Sequence, residues 1–207
     1  MKILITGASK GIGLQIAKEL AERGYELVLH CNSTEEALLA FLEENKNKNH
    51  IVKADLSTVV GAVDLFNQTC KAIGFPDSII NNAGVADSSP IEKDIKEWSA
   101  DFDKTISVNL KSPAIICKEF ILKKRTEKIS KRLRIINIAS RAAFRGEIED
   151  FISYACSKGG IVSLTKTITR SFGLNENVLA FSIAPGFVNT EMAKGFIEKN
   201  GEDLVKK

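Results

Sequence analysis

Lys2-Ile3-Leu4-Ile5-Thr6-Gly7-Ala8-Ser9-Lys10-Gly11-Ile12-Gly13 decides the architecture of this chain. Residues 2–5 form a short apolar run and read as a buried strand. Gly7, Gly11 and Gly13 follow directly, spaced one residue longer than the common G-x-G-x-x-G turn. Leu14, Ile16, Ala17, Leu20 and Ala21 then fall at helical spacing. Strand, glycine-rich turn and helix, in that order, predict the phosphate-binding opening of a dinucleotide fold. Glycine lets the backbone turn tightly and approach a ligand. The helix start offers unbonded N–H groups and a positive dipole end to a pyrophosphate.

Working outward, apolar runs alternate with amphipathic segments. Strands are predicted at 2–6, 26–30, 50–54, 78–81, 133–139 and 178–184. Helices are predicted at 12–23, 34–45, 58–73, 91–101, 102–124, 152–173 and 189–198. Continuous apolar strands such as Ile135-Ile136-Asn137-Ile138-Ala139 suit a parallel sheet covered on both faces. The alternation predicts a single-domain, doubly wound α/β fold (Rossmann fold) over 1–207, with ligands at the carboxyl ends of its strands. The polar stretch Glu43–His50 reads as an exposed loop.

Composition excludes several functions. A chain of 207 residues with 44% apolar and 27% charged residues suits one soluble domain with a substantial core. A net charge of +3 is too small to imply nucleic-acid binding. The cysteines Cys31, Cys70, Cys117 and Cys156 show no C-x-x-C spacing, and His30 and His50 form no ligand cluster. Idle thiols in a reducing cytoplasm and no metal site are therefore expected. No apolar run is long enough to span a bilayer, so no membrane partner is expected. The first strand leads straight into the turn, so no secretory leader is expected and the cytoplasm is the expected location.

Tyr154 and Lys158 stand four apart in Tyr-Ala-Cys-Ser-Lys, with Ser140 upstream. Residues four apart share a helix face. A fixed cation beside a phenol favours the phenolate and lowers its pKa from roughly 10. A serine hydroxyl reaching the same point is suited to bind a substrate carbonyl. The triad thus points to acid–base work on an alcohol or carbonyl; the pair alone is also a common helix-surface arrangement.

Four pieces together resemble the short-chain dehydrogenase/reductase family, in that family's order. They are Thr6–Gly13, Asn81-Asn82-Ala83-Gly84, Ser140 with Tyr154 and Lys158, and Pro185-Gly186 followed by Thr190. Asn109, in Ser-Val-Asn-Leu, matches the family's helix asparagine. Tyr-Ala-Cys-Ser-Lys-Gly-Gly-Ile and Ile-Ala-Pro-Gly-Phe-Val-Asn-Thr-Glu-Met are most similar to the 3-oxoacyl-[acyl-carrier-protein] reductases, a subgroup of fatty acid biosynthesis. The resemblance implies a catalytic set of Asn109, Ser140, Tyr154 and Lys158. It implies cofactor contacts from Gly7, Ser9, Lys10, Gly11, Ile12, Gly13, Asn32, Ser33, Asp55, Leu56, Asn82, Ala83, Gly84, Tyr154, Lys158, Pro185, Gly186, Val188 and Thr190. Asp55-Leu56 corresponds to the pair that contacts adenine, and Asn109 to an anchor for a proton-relaying water.

The second strand ends Leu29-His30-Cys31-Asn32-Ser33, with no acid to hold a ribose 2′-hydroxyl as NAD binders do. Asn32, Ser33 and His30 would not repel a 2′-phosphate, and Lys10 offers it a cation. NADP(H) is expected, with NAD(H) the alternative. The leading substrate is a 3-oxoacyl thioester. A secondary alcohol, such as a sugar or steroid-like compound, and a weakly active cofactor-binding protein remain as alternatives. Lys123-Lys124-Arg125 and the basic residues Lys128, Lys131, Arg132 and Arg134 read as solvated surface. The resemblance puts Lys124 and Arg125 where an acyl carrier protein docks, yet Gly173-Leu174-Asn175-Glu176 lacks the further base expected there. The family also implies a homodimer through helices 102–124 and 152–173, with a homotetramer as the alternative. Family members run on through a further helix and a last strand, so a chain ending at Lys207 is expected to lack both.

Overall fold

The computed structural model describes residues 1–33, 36–45, 48–188 and 190. Its strands are β1 (Lys2–Ile5), β2 (Glu26–Cys31), β3 (His50–Lys53), β4 (Ser78–Asn81), β5 (Leu133–Ile138) and β6 (Val178–Ile183). The principal helices are α1 (Gly11–Glu22), α2 (Glu36–Glu44), α3 (Val59–Ile73), α4 (Ile95–Ile106), α5 (Ser112–Thr126), the short α6 (Ala142–Arg145) and the long α7 (Ile152–Glu176). The six strands run parallel in the order β3-β2-β1-β4-β5-β6. This is the doubly wound sheet that the alternation predicts. The order reverses between β1 and β4, which opens a crevice at their carboxyl ends.

Successive strand side chains point to opposite faces. Leu4, Val28 and Ile79 join Leu65, Phe66, Ile116, Phe120 and Ile168 in one core layer, beneath α3, α5 and α7. Ile3, Ile5, Leu27 and Leu29 pack on the other face against Ala17 and Ala21 of α1 and Leu38 and Phe41 of α2. The small residues of α1 let its first turn lie close to the sheet, which brings the glycines over the end of β1.

One prediction is corrected. Helices expected at 91–101 and 102–124 form one rod instead, α4 continuing into α5 through a π-helical turn at Ser107–Lys111. The rod starts late because Asp94 caps it, its carboxylate accepting the Lys96 N–H at 2.9 Å. Pro113 has no N–H to return to the Asn109 carbonyl, and the Ser112 N–H reaches back to Ser107. The widened turn places Asn109 inward, where it is buried. The segment 142–151, for which the sequence predicts no element, holds α6 and a short 3₁₀ turn, Glu149–Phe151. The helix expected at 189–198 lies outside the described residues apart from Thr190. No helix among the described residues is long and apolar enough to cross a membrane.

Candidate active site

The glycine turn is held from beneath. Gly7 has φ of +64°, a left-handed conformation that disfavours any side chain. A Cβ there would stand 2.7 Å from Ala83 Cα. A Cβ on Gly13 would overlap the Gly7 carbonyl oxygen. The Asn82 side-chain amide donates to the Thr6 and Gly7 carbonyls at 3.0 and 2.9 Å. Thr6 Oγ1 accepts the Asn82 and Ala83 N–H groups, both at 3.0 Å. No side chain caps α1, and the first bond of that helix is Leu14 N–H to the Lys10 carbonyl. The amides of Gly11, Ile12 and Gly13 precede that bond and point out of the helix start. This close, uncapped, glycine-lined cradle fits a pyrophosphate.

Asn82-Ala83-Gly84 connects the turn to the acid–base cluster. Ala83 lies under Gly7, while a Cβ on Gly84 would stand 3.3 Å from Asn109 Oδ1 and 3.6 Å from Lys158 Nζ. Asn109 clamps the following residue in both directions: its Oδ1 accepts the Val85 N–H and its Nδ2 donates to the Val85 carbonyl, each at 2.8 Å. Asn109 Nδ2 also donates to Ser157 Oγ at 3.1 Å, and Ser157 Oγ donates to the Tyr154 carbonyl at 2.7 Å. The rod α4–α5 is thereby locked to α7 at the turn that carries Tyr154. Ser140, at the end of β5, hydrogen-bonds the Tyr154 phenol. Asn109, Ser140, Tyr154 and Lys158 thus lie in one cluster.

Their electrostatics differ from the simple expectation. Burial pushes the Tyr154 phenol above its ordinary value, and the Ser140 hydrogen bond opposes this. The spacing predicts that Lys158 lowers Tyr154, but its ammonium lies 5.7 Å from the ring centroid and donates to the Ile138 carbonyl at 2.8 Å. Burial brings Lys158 itself down to about 8.

The remaining predicted contacts sort by exposure. Lys10, Asn32, Ser33 and Asp55 are exposed and Ser9 half-buried, and Thr190 lies against Gly11, 3.4 Å from where a Cβ would stand. Asp55 accepts the Ser57 N–H, which holds its carboxyl below the usual range. Pro185 is half-buried, and Gly186 and Val188 are exposed beyond β6. Leu56 is 5% exposed and belongs to the core. His30 is 2% exposed and lies beneath the turn. Asn81 ties strands together, its Nδ2 donating to Asn137 Oδ1 at 2.7 Å.

Ser157 has no signal of its own in the sequence, although it adjoins Lys158. The basic stretch is largely committed within the chain. Lys124 is buried, donating to the Ile129 and Lys131 carbonyls at 2.5 and 2.8 Å. Arg125 pairs with Glu176 at 2.5 Å and lies over the Phe172 ring. Among the described residues no group of three or more His, Cys, Asp or Glu side chains is placed to hold a metal.

The family model for short chain dehydrogenase matches residues 1–201. The chain belongs to the short-chain dehydrogenase family. Subunit BbsD of (2S)-[(R)-hydroxy(phenyl)methyl]succinyl-CoA dehydrogenase from Thauera aromatica is 31% identical over 99% of this chain and 79% of its own length. The 3-oxoacyl-[acyl-carrier-protein] reductase FabG of Rickettsia prowazekii is 32% identical over the same shares. Among solved structures, actinorhodin polyketide ketoreductase with NADPH superimposes with TM-score 0.85 at 26% identity, covering 98% of this chain and 76% of that one. 4-Hydroxyisoleucine dehydrogenase complexed with NADH gives 0.83 at 28%, covering 96% and 78%. This short-chain dehydrogenase is therefore an oxidoreductase of the alcohol–carbonyl class, and a nicotinamide dinucleotide is its cofactor class.

Proposed function

We propose that this short-chain dehydrogenase is an NADPH-dependent reductase of 3-oxoacyl thioesters. The carrying observation is the single stretch Asn82–Gly84, which abuts both the phosphate cradle and the Asn109, Tyr154 and Lys158 cluster. When bound, the nicotinamide supplies the hydride. Ser140 holds the substrate carbonyl oxygen, and Tyr154 gives that oxygen a proton as negative charge develops there. A phenol raised by burial carries its proton at neutral pH, which suits the reductive direction. Lys158, brought to about 8, exchanges its proton near neutrality and resupplies the phenol in this reading. Asn109 fixes the Val85 backbone and, through Ser157, the Tyr154 turn.

NADPH is favoured over NADH because the exposed end of β2 offers Asn32 and Ser33 and no carboxylate, with Lys10 exposed in the turn. A thioester substrate is favoured because two relatives with different names act on acyl thioesters, one on a CoA ester and one on a carrier-bound acyl group. The CoA ester is the simpler fit, since Lys124 and Arg125 are engaged internally. A homodimer through α5 and α7 belongs to the same reading, supported by exposed Leu122 and Leu174 on those helices.

The test is loss of reduced-nicotinamide absorbance with a 3-oxoacyl-CoA, wild type beside Tyr154→Phe. Turnover is expected to fall about 10²–10⁴-fold in the variant while NADPH binding persists. A variant with near-normal turnover would sink the proposed role of Tyr154. A wild type that reduces no 3-oxoacyl thioester would sink the substrate.

A further inference from the structure

The glycine turn is reached by a residue that the mechanism does not use. Three consecutive amides leave β1, and each is taken by a neighbouring strand. Thr6 N–H donates to the Ile80 carbonyl at 2.9 Å and Ala8 N–H to the His30 carbonyl at 2.8 Å. Between them, Gly7 N–H donates to the His30 ring, at Nδ1, over 3.0 Å. The other ring nitrogen, Nε2, lies 3.0 Å from the Ala54 carbonyl. A carbonyl only accepts and an amide N–H only donates. Both contacts are made together by one form of the ring alone, the neutral tautomer with its hydrogen on Nε2.

We infer that His30 is a positioning residue whose imidazole holds the Gly7 amide and so sets the curvature of the phosphate cradle. The inference rests on the reading of that turn as the dinucleotide site. Gly7 must keep its left-handed conformation to lie 2.7 Å, measured from an added Cβ, above Ala83. Its N–H is part-buried and faces the buried His30 ring, and such a donor left without a partner is costly. Through Nε2 the same ring ties the turn to Ala54, the residue before Asp55, so both sides of the ribose region share one anchor. His30 is 2% exposed and touches no solvent-facing ligand position, so it acts only through Gly7 and Ala54.

Two conservative variants separate the two halves of the ring. In His30→Asn the side-chain oxygen takes the place of Nδ1 and still accepts from Gly7, but nothing reaches Ala54. In His30→Gln the amide takes the place of Nε2 and still donates to Ala54, but Gly7 loses its acceptor. Amide hydrogen exchange at Gly7 and NADPH affinity, read by nicotinamide fluorescence, are measured in each. His30→Asn is expected to stay near wild type in both. His30→Gln is expected to exchange Gly7 and release NADPH about tenfold more readily.

Equal behaviour of the two variants overturns the inference, as does the reverse order. A ring ¹⁵N spectrum of the wild type gives an arm that needs no variant. Protonated Nε2 and unprotonated Nδ1 at neutral pH support the inference; a charged ring or an Nδ1–H tautomer overturns it. A wild type that binds neither NADPH nor NADH overturns the dinucleotide reading and the purpose assigned to the ring. The Gly7 exchange comparison still reports separately whether His30 holds the turn.

Discussion

Gly13 is the residue whose loss would tell most about the cradle, because its missing side chain is the space occupied by the Gly7 carbonyl and the Asn82 amide. Gly13→Ala forces backbone, rather than a flexible side chain, to move. NADPH affinity is expected to fall at least tenfold while the sheet still folds, a change that titration calorimetry resolves. Unchanged affinity would mean that the turn does not carry the dinucleotide. Lys158 gives a second expectation at this scale. Its ammonium is protonated below about 8 and neutral above it. Turnover that needs the cation therefore declines as pH rises through that value, and Lys158→Arg, which stays charged, removes the decline at whatever rate it retains. A kcat/KM profile flat across pH 8 would contradict the assignment.

At the scale of elements, the π-helical turn between α4 and α5 achieves what two separate helices would not. It turns Asn109 inward and sets Leu110 against Gly160 of α7, where an added Cβ would stand 2.5 Å from Leu110 Cδ2. Gly160→Val overpacks that contact and is expected to cost about 1–3 kcal/mol. Turnover should drop with it, since the Asn109–Ser157 bond spans the same interface. Thermal unfolding and kinetics measured together check this; a stable variant with normal turnover would uncouple the contact from the site.

The same turn marks the limit of what the sequence pattern reveals. Alternating apolar runs locate β1 through β6 within a residue or two, because a sheet buried on both faces needs such runs. Tyr154, Lys158 and Ser140 are legible from residue type and spacing, and Asn109 from the family resemblance alone. The pattern divides the rod α4–α5 at 101/102, ahead of Ser107–Lys111 where the helix widens. Pro113, four residues after Asn109, is the signal that marks the turn. The roles of His30 and Ser157 are not legible, because their partners, Gly7 and Asn109, are distant in sequence and adjacent only after folding. The direction of the Tyr154 shift is hidden as well, because spacing shows a nearby lysine but not that the phenol is buried.

For the whole molecule, the outermost strand β6 leaves Phe181 and Ile183 about half exposed, at 48% and 52%. Apolar side chains also lie exposed on α5 and α7. One subunit has a mass of 22.7 kDa, and light scattering is expected to return about twice that value. A clean monomer at micromolar concentration would count against the dimer.

The position of β1 has a consequence for how the protein is made. Of the six strands, β1 is made first, and it sits near the middle of the sheet, between β2 and β4. The phosphate cradle rests on Ala83 and Asn82, just after β4, so it can be complete before β5 exists. The acid–base cluster cannot, because Tyr154 and Lys158 come with α7. Synthesis therefore builds the binding half before the reactive half. Every strand pairing among the described residues is parallel and requires a crossover, which places refolding among the slower, non-local topologies. A nascent chain halted in the α4–α5 rod would carry the glycine turn and its Asn82–Gly84 support but neither Tyr154 nor Lys158.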